Sequence, residues 1–305
     1  MPAIEIRDLK KSYGDVQAVR GIDLNIEEGE VFGLLGPNGA GKTTTVEILE
    51  GYRKRDSGTV SVLGTDPQIA GRKWRSRVGI VFQECGFPLY STVFELVDLY
   101  GSYYPTPLPT LEVIKIVGLE EKTDERIKRL SGGQKRRLDL ALALVGNPDL
   151  IFLDEPTTGF DPSARRTAWE AIRNLRSLGK TILLTTHYMD EAQELADRVA
   201  VIAKGEIVAL GKPHEIGGDE VNITRIRFVL PYGTQASNLP TIEGQIEIRD
   251  QKVSISTRKP LETTNRITSW ALENKFDLEN FRVLRPNLED VYLALTSEEV
   301  EGVNE

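Results

Sequence analysis

The chain has 305 residues, 38 of them basic and 46 acidic, for a formal charge of −8, and 40% of it is apolar. That balance fits a soluble globular protein of about two domains. Net acidity argues against a duplex nucleic-acid binder, which needs a basic face. One cysteine excludes an intrachain disulfide framework and a cysteine zinc cage, and two histidines exclude a multi-histidine metal site.

The first residues carry no apolar leader, and no apolar run is long enough to span a bilayer. Neither a signal peptide nor a transmembrane helix is expected, so any work at a membrane would go through a partner. Short apolar runs alternate with helical patterns to about residue 215. Strands are predicted over residues 3–7, 31–35, 59–63, 79–82, 150–153 and 181–185. Helices are predicted over 42–51, 93–104, 132–145, 164–178 and 189–196. Such alternation predicts an α/β fold, a largely parallel sheet covered by helices. Between residues 84 and 145 helical segments follow one another, broken by a stiff proline-rich connector over 104–109. This reads as a helical insertion. Beyond Pro213, strands over 223–230, 242–249, 252–257 and 281–284 and a helix over 261–273 predict a small α+β domain. The expected division is residues 1–215 and 216–305, with an acidic, frayed end.

Residues 36–44 read Gly-Pro-Asn-Gly-Ala-Gly-Lys-Thr-Thr and fit G-x-x-x-x-G-K-[ST] between a predicted strand and a predicted helix. Glycines let the loop curl so that the backbone N–H groups of Asn38, Gly39, Ala40, Gly41, Lys42, Thr43 and Thr44 face phosphates. The helix N-terminus adds partial positive charge. Lys42 reaches the β/γ oxygens, and the Thr43 hydroxyl suits Mg²⁺, which prefers hard oxygen ligands. Alone, this loop leaves kinase, GTPase and ATPase open.

Two further features narrow the choice. An apolar strand ending in Asp154-Glu155 offers one carboxylate for the Mg²⁺ shell and one to orient or deprotonate an attacking water. Leu130-Ser131-Gly132-Gly133-Gln134 precedes an amphipathic helix and makes a second anion-binding surface. Two such surfaces far apart in sequence are simplest to reconcile if one serves another subunit's nucleotide.

With these motifs in order, the chain resembles the ATP-binding cassette (ABC) ATPases over roughly residues 3–215. The resemblance implies a P-loop ATPase core with a helical subdomain at about 84–145. Tyr13 would stack on adenine, and Gln83 would touch Mg²⁺ and water. His187 would contact the γ-phosphate. Asp161 would lie at a dimer interface, although Phe160 beside it departs from the commoner leucine. Two ATP molecules would sit in a head-to-tail dimer between one phosphate loop and the other subunit's residues 131–134. Within the family, residues 130–144, 154–162 and 286–296 resemble ATPases of ABC-2-type exporters, including the daunorubicin-resistance group. That implies a separate integral membrane permease, docking on the helical insertion, and export of a hydrophobic drug, lipid or glycan. It also implies a cytoplasmic, peripheral place on the inner face of the membrane and no nucleic-acid partner. The alternatives are a soluble ABC ATPase acting on ribosomes or nucleic acid, and a regulatory ATP-binding module.

Overall fold

The computed structural model describes residues 2–81, 86–216, 223–231, 234, 238–249 and 251–284. Gln83, Cys85 and the 286–296 segment therefore lie outside the described residues. The chain divides into two compact units, Met1–Pro213 and His214–Glu305.

The first unit opens on an antiparallel sheet of order β2-β1-β4: β1 (Pro2–Tyr13), β2 (Val16–Glu27) and β4 (Ser57–Val62). The sequence predicted only pieces of it, residues 3–7 and 59–63. A bulge is the reason. Ile4 and Ile6 are buried, but so is Leu9, which breaks the two-residue period. Asp8 absorbs the extra residue at φ 45°, its N–H donating to Asp23 Oδ1 at 3.0 Å.

Six strands form the central sheet, in the order β5-β6-β7-β3-β8-β9. They are β3 (Val31–Leu35), β5 (Val78–Val81), β6 (Leu150–Asp154), β7 (Thr181–Thr186), β8 (Arg198–Ala203) and β9 (Glu206–Gly211). The first five are mutually parallel; only β9 runs antiparallel. Both faces are covered, which is why the inner strands read as continuous apolar runs. Side chains alternate between two cores. Leu150, Phe152, Leu183, Phe32 and Leu34 pack toward the antiparallel sheet and α1 (Lys42–Leu49). Ile151, Leu153, Ile182 and Leu184 pack into the other core, with the helices that follow.

Those helices are α3 (Val93–Gly101), α4 (Thr110–Ile116), α5 (Gly132–Leu144), α6 (Pro162–Ser177) and α7 (Met189–Leu195). A short α2 (Arg72–Arg75) precedes β5. The insertion is thus α3, α4 and α5, and α3 opens with a capping box in which Thr92 and Glu95 satisfy each other's backbone N–H. α3 stops at Gly101, three residues short of the sequence expectation, and the chain turns back so that Tyr104 packs on Gly146.

The second unit is a four-stranded antiparallel sheet of order β11-β12-β10-β13. Its strands are β10 (Thr224–Val229), β11 (Gln245–Arg249), β12 (Lys252–Thr257) and β13 (Glu279–Leu284), joined by α8 (Pro260–Glu273). Ile226, Phe228, Val253 and Ile255 pack on Ile267 of α8. No described helix is long and apolar enough to cross a membrane.

Candidate functional site

Neighbouring strands β6, β7 and β3 deliver the candidate residues at their C-terminal ends. Asp154 pairs with Thr185, and Leu35 pairs with Thr186. Gly36, Glu155 and His187 each begin a loop just beyond those ends. Ligands of parallel α/β sheets bind at this edge.

The phosphate loop leaves β3 at Gly36 and enters α1 after Gly41. Two of its glycines are required by space. A Cβ on Gly36 would sit 2.3 Å from the Ile202 carbonyl oxygen. At Gly41, in the left-handed region at φ 105°, it would sit 2.3 Å from that of Ala18. Pro37, Asn38, Gly39 and Thr43 are exposed, Thr44 is half-buried, and Ala40 is buried. No side chain caps α1, so its first N–H groups are left for a ligand.

Lys42 is 5% exposed, and its Nζ donates to the carbonyls of Gly36 at 2.8 Å and Pro37 at 3.1 Å. Glu155 Oε1 stands 3.9 Å from the same nitrogen. Burial pulls the Lys42 pKa below the usual lysine value, while Glu155 and Asp154 oppose that fall.

The two acids that end β6 are held by one threonine. The Thr185 hydroxyl donates to Asp154 Oδ1 and accepts the Glu155 N–H at 3.0 Å. Glu155 sits at φ 45°, a strained conformation for a glutamate. Its carboxylate is fixed from two sides, by Thr158 Oγ1 at 3.1 Å and by His187 Nδ1 at 3.2 Å. Arg136, on α5, donates to the carbonyls of Asp154 at 2.8 Å and Pro156 at 3.2 Å. Sequence reading missed Thr185, Thr158 and Arg136 as parts of this site. Their partners stand 30, 3 and about 20 residues away, and only Thr158 lies within reach of a local motif.

The remaining candidates lie around this centre. Tyr13 ends β1, 41% exposed, with the Arg53 guanidinium 5.2 Å and the Lys11 ammonium 5.5 Å from its ring centroid. Asp161 caps α6, accepting the N–H groups of Ser163 at 2.8 Å and Ala164 at 2.9 Å. Ser131 caps α5 in a reciprocal box with Gln134: each side chain accepts the other's backbone N–H, at 3.3 and 2.9 Å. Gly132 is open to solvent, and Gly133 abuts Ala164 of α6. Lys42, Asp154, Glu155 and His187 therefore gather within one chain. Among the described residues, no hydrogen bond or ion pair ties residues 131–134 to the phosphate loop.

Comparisons with known proteins identify the family. The family model described as "ABC transporter" matches residues 19–158, and that of the "ABC transporter domain-containing protein-like, C-terminal domain" matches 224–287. Nod factor export ATP-binding protein I of Burkholderia lata is 40% identical over 98% of each chain. The protein of the same name from Rhizobium etli is 37% identical over 99% of this chain and 95% of its own. Among solved structures, the dimeric post-hydrolysis state of the cassette MJ0796 bound to ADP and Pi is 28% identical. It superposes with a TM-score of 0.61 over 68% of this chain and 98% of that one. cbiO1 from Clostridium perfringens, part of the ABC transporter complex cbiONQ, is 32% identical, with a TM-score of 0.63 over 70% of this chain and 90% of that one. The chain belongs to the ATP-binding proteins of the ABC transporter family, and it is an ATPase.

Proposed function

We propose that this chain is the ATP-hydrolysing subunit of an ABC-2-type exporter, acting through a separate membrane permease. The observation that carries the reading is the near-complete match, at 36–40% identity, to proteins named for Nod factor export. The cargo falls in the class of hydrophobic drug, lipid or glycan. The chain works at the inner face of the membrane. A cleft of about 620 Å³ between the core and the helical insertion supports permease docking. Glu50, Tyr52, Trp74, Tyr100 and Tyr104 line it, offering an aromatic wall with an acid.

The chemistry is in-line attack of water on the γ-phosphorus, with the bond to the ADP oxygen breaking as the new P–O bond forms. Lys42 exchanges its two carbonyl partners for β/γ oxygens, and the open N–H groups of α1 take the rest of the charge. Glu155 orients the water and takes its proton; Thr158 fixes the direction in which it points, joined by His187 until that side chain turns to the nucleotide. His187 also meets the γ-phosphate. Tyr13 stacks on adenine. Thr43 and Asp154 form a hard oxygen set that fits Mg²⁺, together with Gln83. Held by these residues, Mg²⁺ would supply positive charge to offset that of the phosphate oxygens. Residues 131–134 of a second cassette close over the γ-phosphate, and Asp161 lines that interface.

A tagged Glu155→Gln chain, purified with ATP and Mg²⁺ from detergent-solubilised native membranes, tests the reading. Stoichiometric recovery of a polytopic membrane protein is expected. Recovery of ribosomes, of nucleic acid or of the chain alone would overturn the exporter reading and leave the ATPase standing.

A further inference from the structure

Glu191, in the first turn of α7, is 0% exposed. Its Oε1 accepts from Thr157 Oγ1 at 2.7 Å and from Trp169 Nε1 at 3.2 Å. Thr186, the last residue of β7, lies beside the same carboxyl. One side chain thus joins three pieces of the site: the turn after Glu155, helix α6, and the strand that leads to His187. Burial raises the Glu191 pKa above the usual carboxylate range, which favours the uncharged form.

A buried carboxyl is costly unless hydrogen-bonded, and an aliphatic side chain would fill the same space without that cost. What only an acid or amide supplies here is the bond to Thr157. A second contact, between His187 Nδ1 and Glu155 Oε1 at 3.2 Å, joins neighbouring residues of the same two segments. The two contacts both tie the loop after β6 to the chain beyond β7, one at His187 and the other at Glu191 in α7. On the proposed reading, the His187 contact opens when His187 turns to a γ-phosphate. The Glu191–Thr157 contact is buried at both ends.

We infer that Glu191 is a positioning residue for hydrolysis: by pinning Thr157 it holds the strained Glu155 turn in place when His187 leaves the Glu155 carboxylate. The inference rests on the reading of Glu155 as the residue that directs water.

Steady-state ATPase kinetics of the purified full chain test it, with Glu155→Gln measured alongside. Glu191→Ala and Thr157→Val are each expected to lower kcat about tenfold or more while KM stays within about twofold. Glu191→Gln keeps an acceptor for Thr157 and Trp169 and carries no charge, so it is expected to retain more than about half of kcat. The double variant Glu191→Ala/Thr157→Val is expected to be no slower than Glu191→Ala, because the two act as one contact. Wild-type kcat in both single variants would overturn the inference, as would a Glu191→Gln as slow as Glu191→Ala. If Glu191→Ala fails to fold by circular dichroism, Thr157→Val and Glu191→Gln carry the test. A fast Glu155→Gln would instead overturn the assignment of Glu155 itself.

Discussion

Helices α1 and α5 both begin at glycine-rich turns, and they are finished in opposite ways. α1 starts on a left-handed glycine with no side-chain cap. α5 starts on Ser131 and is closed by a full capping box. An uncapped terminus leaves N–H groups unsatisfied and suits an anion better than it suits the helix. A boxed terminus is stable by itself, and Ser131 still keeps its own O–H to donate while its oxygen accepts. The phosphate loop is thus built for a ligand throughout, with Lys42 folded onto its own carbonyls. The α5 entrance is a finished surface, which on the proposed reading meets a phosphate from outside.

The largest effect that separates the two entrances is expected from Lys42→Ala. ATP affinity should fall about a hundredfold or more, because a buried cation aimed at the loop is lost; a fluorescent-nucleotide titration reads it. Unchanged affinity would remove the loop's special status. Gly41→Ala comes next. Its Cβ meets backbone at 2.3 Å in a positive-φ position, so urea unfolding should report a loss of about 3 kcal/mol even without nucleotide.

The far end of α1 gives a third contrast. Its C-cap is Glu50, an acid where the helix dipole disfavours one. Burial, then Asp154 and Glu47, push its pKa from 4.5 up to about 8. Between those values the folded chain holds a proton that the unfolded chain releases. Stability from this group is therefore present at low pH, falls as pH rises through that window, and levels off above it. Discounted for partial exposure, the change is about 2 kcal/mol. Glu50→Gln should flatten the fall when wild type and variant are unfolded at pH about 5 and about 8. Ser131→Ala is the smallest: loss of the cap should cost about 1 kcal/mol, read in the same unfolding assay, with ATP affinity of the isolated chain unchanged.

The same contrast separates what was legible in the sequence from what was not. Residues 36–44 and 131–134, the acids after β6 and the histidine after β7 are local patterns, and each falls at a strand or helix end. The alternating α/β core follows from continuous apolar strands. What was missed is either irregular or distant. The β1–β2 ribbon hides behind the bulge at Asp8, which resets the alternation between Ile6 and Leu9. β8 and β9, residues 198–211, carry no motif, although Val199, Ala200, Val201 and Ile202 are fully buried. Thr185, Arg136 and Glu191 act across 18 to 34 residues through backbone carbonyls and hydroxyls, and no spacing announces them.

Sedimentation velocity of the Glu155→Gln chain with saturating ATP and Mg²⁺ asks directly whether the two entrances share one nucleotide. A dimer that forms only with ATP, and that Ser131→Arg abolishes, is expected. A monomer at saturating ATP, or a dimer indifferent to both ATP and Ser131, would contradict the shared site.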